Sequence, residues 1–309
     1  LIAPYKNICD IHTDLFFGTQ NIISETQYKK IVETKKPTGV TIREGNRYFH
    51  WELEFPGVLL DSKGFDCIIG NPPYVTVSTD HFFDVNYETS DGRNLYNYFL
   101  ERGVNLLHND GGRLGFIIPI SIIASDSMES SRQLIYKLSG FAEFINIDSS
   151  ANPGTLFDDL KLRLSILFVN KNYHYENMKI YSSQFTKFFS DEREAIIPKI
   201  GTVEVPSEFI IDSRVPKIGS PIENSILKKL LQVDKNYFSY EVPKGQNILY
   251  YKATGYNYML AFKTPPFFEV NGKQVPNSKT KEIILRDDIL IEGAILVFST
   301  SLFYWFWTL

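Results

Sequence analysis

"FDCIIGNPPYV", residues 65–75, decides how this chain is read. The apolar run Phe65-Asp66-Cys67-Ile68-Ile69 has the length and composition of a strand, and Gly70-Asn71-Pro72-Pro73 stops it. A continuous apolar run of this kind is what a parallel sheet buries on both faces. In an open α/β sheet ligands meet the carboxyl ends of the strands, which is where Asn71 to Tyr74 stand. Asn71 offers a carboxamide oxygen, and Pro72 offers a carbonyl with no competing N–H. Two acceptors side by side suit a planar NH2 group with two hydrogens to give, and Tyr74 adds a flat face for the ring that carries it. The lone pair of such an amine is delocalised, which makes it a poor nucleophile. Accepting both hydrogens favours the pyramidal form, with the lone pair aimed at an electrophile. A nucleophilic side chain is not needed if that electrophile is a sulfonium methyl. The plainer alternative is a Pro-Pro turn that ends a strand, with Tyr74 simply packed.

Working outward, Asn94 to Leu107 has helical spacing at Leu95, Tyr98, Phe99 and Leu106. Asp110-Gly111-Gly112 is a turn, and "RLGFIIP" is a second buried strand. Ser125-Asp126 can cap a helix through about Leu138. "FAEFINID" and "LKLRLSILFVN" read as strands, the latter alternating Leu162, Leu164 and Ile166 with Lys161, Arg163 and Ser165. Residues 65–169 are therefore the second half of an open α/β sheet. Beyond 175 prolines recur and periodicity fades, apart from a helix near "SILKKLLQ". A boundary is expected at 171–180, followed by a mixed α+β region.

The bulk numbers bound the rest. The chain has 309 residues, 43% hydrophobic and 15% aromatic, enough for one large or two ordinary domains. Its net charge of -4 divides unevenly: residues 1–170 carry 15 basic and 21 acidic side chains, and 171–309 carry 17 and 15. The second half is the better candidate to face a polyanion. Cys9 and Cys67, in apolar contexts, fit a reduced protein of the cytoplasm. The five histidines show no ligand spacing, and no metal is expected. Glu33-Thr34-Lys35, a nuclease-like triplet without a matching Pro-Asp, reads as a solvated helix face. "AILVFSTSLFYWFWTL" is too short and too polar for a membrane span and reads as a buried or interface helix. Starting at Leu1 and stopping inside this apolar segment, the chain looks like a piece of a longer protein.

"FDCIIGNPPY" resembles motif IV of the S-adenosylmethionine-dependent amino-methyltransferases, which act on DNA adenine, RNA bases or a protein glutamine. "GRNLYNYFLERGVNLLHNDGGRLGFIIPISII" and "TLFDDLKLRLSILFVNK" resemble later motifs of the gamma-class, TaqI-like DNA adenine methyltransferases. "FHWELEFPGVLLDSKGFD" and "LVFSTSLFYWFW" resemble parts of the large type IIG restriction–modification methylases. The resemblance implies a Rossmann-like methyltransferase sheet, with a catalytic domain over 1–175 holding motifs IV–VIII and a target-recognition domain over 176–309. It implies methylation of adenine N6 in double-stranded DNA with base flipping, in a restriction–modification or phage-defence system, with a nuclease domain or subunit in the full-length protein. Asn71 and Pro72 would accept from N6, with Pro73 completing the motif, and Tyr74 would stack on the base. Phe157 matches the aromatic on the base's other face, or packs in the core. Phe99 matches a position near the cofactor's adenine ring, or belongs to a helix core.

The family's D/E-x-x-x-G-x-G loop and ribose-binding acidic residue do not precede Asn71, so the chain can also be read as a DNA-binding fragment that does not methylate. An RNA or protein amino-methyltransferase is a third reading. In the C-terminal region Lys228, Lys229, Lys235, Lys244 and Lys252, with Tyr237, Tyr240, Tyr250, Tyr251, Tyr256 and Tyr258, either meet phosphates and bases or are solvated and packed.

Overall fold

The computed structural model describes residues 3–16, 24–36, 48–78, 87–149, 154–158, 160–172, 178–233, 240–252, 258–275 and 279–309. Two compact units divide the chain, Leu1–Val215 and Pro216–Leu309.

The first unit opens with α1 (Ala3–Phe16), α2 (Glu25–Thr34) and α3 (Trp51–Glu54). Ser24 and Gln27 form a capping box at the start of α2, each side chain accepting from the other's backbone N–H. Glu33, Thr34 and Lys35 are exposed at its end, the solvated face expected of them. Edge-on and stacked contacts among Phe49, Trp51, Phe55 and Phe65 then lead into β1 (Cys67–Gly70). Gly64 makes this entry possible. Its φ is +139°, and a Cβ there would lie 2.4 Å from the His108 nitrogen.

Next come α4 (Leu95–Leu106), β2 (Asp110–Pro119), α5 (Ser121–Ala124), α6 (Glu129–Leu138), β3 (Ser139–Ser149), β4 (Leu162–Asn172), β5 (Lys179–Ser183) and β6 (Thr202–Glu204). The six strands form one sheet in the order β1-β2-β4-β3-β5-β6. β1 runs parallel to β2 and β3 parallel to β5, while β4 lies antiparallel between β2 and β3. The crossovers from β1 to β2 and from β2 to β3 carry α4 and α6, so the expected α/β half-sheet is borne out. Tyr96, Leu100 and Val104 of α4 are buried, and Gly103 brings the helix close to β2: a Cβ there would meet the Leu114 side chain at 2.8 Å.

Three readings need correction. β1 is not buried on both faces: it is the edge strand of the sheet, and Ile69 is 81% exposed. The helix expected from Ser125 begins at Glu129, after a 3-10 turn over Asp126–Met128. The Ser125 carbonyl accepts from the Met128 N–H and from Arg132 Nη1, which tightens the backbone before the helix starts. In β4 Ser165 is as buried as its neighbours and donates to the Asn146 carboxamide. The compact units part after Val215 and not at 171–180, because β5 and β6 extend the sheet.

Two buried cations hold the first unit together. Lys171 Nζ donates to the Val104 and Leu107 carbonyls at the end of α4, a site where positive charge also meets the helix dipole. Arg132 donates to the Ile122 and Ser125 carbonyls and to Ser213 Oγ, and the Tyr136 hydroxyl donates to the Ser213 carbonyl. They clamp a turn in which Asp212 and Ser213 both have positive φ. Burial lowers the pKa of both cations, and hydrogen bonding keeps their charge satisfied.

The second unit contains α7 (Pro221–Leu231), β7 (Ile248–Lys252), β8 (Ala261–Phe262), β9 (Glu269–Val270), β10 (Lys273–Gln274), β11 (Thr280–Ile284), α8 (Asp288–Phe298) and α9 (Ser301–Thr308). β11-β7-β8 is an antiparallel sheet, and β9-β10 is a hairpin whose Asn271-Gly272 turn has positive φ at both residues. Its core joins Leu249, Met259 and Leu285 to Ile291, Ala294 and Phe298 of α8. The apolar C-terminal segment is two helices bent by 78°, with Thr300 capping the second through the Phe303 N–H. Among the described residues no helix is long and apolar enough to cross a membrane.

Replacing Arg132 with Met keeps most of the apolar stem and leaves the buried Ile122 carbonyl without its donor, at a cost of roughly 1–3 kcal/mol. Urea denaturation of Arg132→Met should show a lower midpoint, a loss of about 1–3 kcal/mol and an unchanged slope.

Candidate active site

The turn at 71–74 sits where β1 ends and its neighbour does not. β1 stops opposite Phe116, yet β2 continues to Pro119. Tyr74 turns back into the space beside β2, and its hydroxyl lies 2.8 Å from the Ile117 carbonyl oxygen. The same hydroxyl lies 2.7 Å from Asn71 Oδ1. One phenolic hydrogen therefore serves two acceptors. When it points to Ile117, the lone pairs of Tyr74 and Asn71 face one another, and a donor arriving at Asn71 relieves that repulsion. Tyr74 is half-buried, and burial pushes its pKa up to about 12.

Asn71 is exposed and Pro72 is buried, and among the described residues nothing donates to the Pro72 carbonyl. Pro73 is exposed. The four residues thus present two acceptors, with Tyr74 tethered beside them. The next residues are laid against the start of α4: the Leu95 N–H donates to the Val75 carbonyl, and the Val77 N–H to the Arg93 carbonyl, each at 2.9 Å. Asn94 caps that helix by accepting from the Tyr96 N–H. Behind it the buried Glu101 carboxylate accepts from the N–H groups of Glu88 and Thr89 and from the Thr89 hydroxyl, fixing the approach to α4.

Phe157 lies at the same end of the sheet, in the segment between β3 and β4. Ser149, the last residue of β3, accepts through Oγ from the Leu156 N–H at 2.6 Å, and Leu160 N–H donates to the Phe157 carbonyl. Phe157 is partly exposed and makes no ring contact with Tyr74 among the described residues. Phe99 is 49% exposed on α4, so its ring is not part of the helix core. In the second unit Tyr240 and Tyr251 pack on the core, Arg286 lies over the Tyr240 ring, and Tyr258 is exposed. Tyr250 and Lys252 lie on β7, and Lys228 and Lys229 close α7. Lys235, Tyr237 and Tyr256 lie outside the described residues. The Ile117 carbonyl and the Ser149 hydroxyl were not anticipated from sequence. A serine ending a strand is visible there, but its partner seven residues on is not.

An open α/β sheet with Asn-Pro-Pro-Tyr at the carboxyl end of a parallel strand is the arrangement that the resemblance to the amino-methyltransferases implies. Residues 7–152 match the family described as Eco57I restriction-modification methylase, which bears out the resemblance to the restriction–modification methylases. The chain is 23% identical over 240 residues to the type II restriction enzyme and methyltransferase RM.Eco57I of Escherichia coli, covering 69% of this chain and 23% of that protein. It is 26% identical over 167 residues to a putative type II restriction enzyme and methyltransferase, RM.MjaORFECS2P, of Methanocaldococcus jannaschii, covering 49% and 14% respectively. The chain thus spans about a quarter or less of the curated relatives it matches. Among solved structures, a nuclease-deletion mutant of the type ISP restriction-modification enzyme LlaGI with a DNA substrate mimic is similar at a TM-score of 0.43 and 15% identity, over 61% of this chain and 20% of that one. The DrdV–DNA complex is similar at 0.40 and 17% identity, over 60% and 20%.

The Tyr74 pKa yields a direct check. It lies above the ordinary value of 10.0, so its contribution to stability is fully present below about pH 10 and is lost as pH rises toward about 12. In Tyr74→Phe, absorbance titration of the folded protein should lose one phenol ionising near pH 12. Stability at neutral pH should fall by about 1 kcal/mol.

Proposed function

We propose that this chain carries the amine-clamping part of a restriction–modification DNA methyltransferase that methylates adenine N6 in duplex DNA with S-adenosylmethionine. The observation that carries the reading is the turn itself: a Pro72 carbonyl to which none of the described residues donates and an Asn71 carboxamide at the end of β1, with Tyr74 held beside them by Ile117. The first unit would supply catalysis and the second target recognition, within a longer protein that also carries or recruits a nuclease and works on DNA in the cytoplasm.

The fit to S-adenosylmethionine is partial. The half-exposed Phe99 ring, one turn from the Leu95–Val75 contact, suits the cofactor's adenine. The sequence before Asn71 holds neither the spaced glycines nor the ribose carboxylate. When bound, the cofactor supplies an electrophilic methyl. The remaining work falls to this chain. Adenine leaves the duplex and stacks on Tyr74, with Phe157 on its second face. Asn71 Oδ1 and the Pro72 carbonyl each accept one N6 hydrogen, which draws the lone pair out of ring conjugation. After methyl transfer N6 gives up one proton. Neither acceptor is basic enough to keep it, so it passes to water.

Expressing the intact protein in a methylation-deficient host and quantifying N6-methyladenine by mass spectrometry tests this. Asn71→Ala should lower the yield by about 10²–10³-fold, the scale for removing one charge-stabilising hydrogen bond at a reacting atom. A soluble, well-expressed parent that leaves no methyladenine would sink the adenine assignment.

A further inference from the structure

We propose that Arg163 and Lys187, held by the buried Asp148, form a binding site for a backbone phosphate of the duplex beside the extruded base. The proposal deepens the adenine-methyltransferase reading and rests on it for the identity of the nucleic acid.

Three strands meet at this point. Asp148, the penultimate residue of β3, stands in register opposite Arg163 of β4. On the other side of β3, Ile147 bridges to Thr186 in parallel, and the Asp148 N–H donates to the Thr186 carbonyl at 2.8 Å. Alternation then places Arg163, Asp148, Phe185 and Lys187 on one face of the sheet. Arg163 Nε lies 3.7 Å from one Asp148 oxygen, and Lys187 Nζ lies 4.0 Å from the other. One nearly buried carboxylate thus sits between two cations.

The geometry is not that of a closed ion pair. Arginine and carboxylate locked together form paired hydrogen bonds of about 2.7–2.9 Å. Here the distances are an ångström longer, and both cationic side chains are nearly half exposed. The guanidinium carbon lies 5.2 Å from the centre of the Phe185 ring, so one face of the group is covered and its edges stay open. Among the described residues the Arg163 guanidinium makes no hydrogen bond, so its fork of N–H donors is available. A phosphodiester has two free oxygens and one negative charge. A planar fork beside a point charge suits it. Nearby Arg193 is not available in the same way, because it is paired with Asp158.

Position ties this group to the clamp. The Arg163 carbonyl accepts from the Ile120 N–H, three residues beyond the carbonyl that tethers Tyr74. Ser149, next to Asp148, anchors the segment carrying Phe157. Both aromatic residues and both cations therefore stand at the carboxyl end of the same sheet. Residues 1–170 are acidic overall, which makes a cationic island at this edge a selective landing point.

The test uses the intact protein, a mixed-sequence DNA duplex and fluorescence anisotropy across a salt series. Each phosphate that the protein no longer neutralises should make the slope of log K against log salt shallower by about 0.9. Arg163→Gln and Lys187→Gln should each weaken binding at low salt and flatten the slope by roughly that amount, while Arg163→Lys retains most of it. An unchanged slope in both glutamine variants, with folding intact by circular dichroism, overturns the site. Asn71→Ala separates the two proposals, since it should abolish methylation and leave the slope alone. A flattened slope in Arg163→Gln from a parent that makes no methyladenine would keep the phosphate site and remove the methylase reading. Normal methylation with unchanged slopes would do the reverse.

Discussion

The hydrogen bond from Tyr74 to the Ile117 carbonyl is the constraint on which the site depends. β1 ends three residues before β2 does, and the uncovered stretch of β2 needs a partner for its backbone. A phenol hydroxyl provides one. The consequence is positional: a side chain four residues past a strand is held as firmly as if it belonged to the sheet. Pro72 and Pro73 cooperate by restricting the turn, since proline fixes its own φ and limits the residue before it. Asn71 is thereby confined to extended backbone at the sheet's edge, where its carboxamide can reach the Tyr74 hydroxyl.

Polar groups buried elsewhere serve the same end. Asn146 in β3 donates from its amide nitrogen to Ser182 Oγ and the Ser183 carbonyl, and accepts from Ser165, so the ladder ties β4, β3 and β5 side chain to side chain. A one-residue slip in any of these strands would strand the amide in an apolar layer at a cost of roughly 1–3 kcal/mol. The ladder therefore specifies register, and register places Asp148 opposite Arg163 and sets Ser149 where it anchors the Phe157 segment. Lys171 and Arg132 act on loops as Asn146 acts on strands. Each donates to carbonyls at the end of a helix or turn.

Much of this was legible in the sequence because local pattern and global fold agree. The helix over 95–106 and the strands at 113–119, 141–148 and 162–170 carry their periods plainly, and the Asn-Pro-Pro-Tyr turn stands at the carboxyl end of β1 as its sequence suggests. What failed depended on partners distant in sequence. An apolar run reads as buried whether or not anything covers it, so the exposure of Ile69 was invisible. The partner of Ser165, Asn146, lies nineteen residues earlier and was equally invisible. Ser125 reads as an α-helix cap, but Arg132 claims its carbonyl first. Phe157 could be placed in the site or in the core with equal right, since only the Ser149 anchor fixes which end of the sheet it occupies.

Energetics explain why an aromatic clamp would work alongside charge. Stacking on an aromatic side chain is worth about 1–3 kcal/mol per base, and extrusion from a duplex costs a few. Tyr74 and Phe157 could therefore balance extrusion but hardly exceed it, and their contribution begins only once the base has left the helix. Contacts to the phosphodiester act earlier, because the backbone is accessible before the base moves. They also act at the right place: the phosphates flanking a rotating nucleotide are the pivot of that rotation. A duplex held at its pivot loses fewer degrees of freedom when the base swings out, so the stacking energy is not consumed in ordering the strand. On this view the acceptors at Asn71 and Pro72 need supply little affinity. Besides drawing out the lone pair, they would distinguish an amine bearing two hydrogens from a carbonyl, because an oxygen in that position would meet two lone pairs with no donor between them.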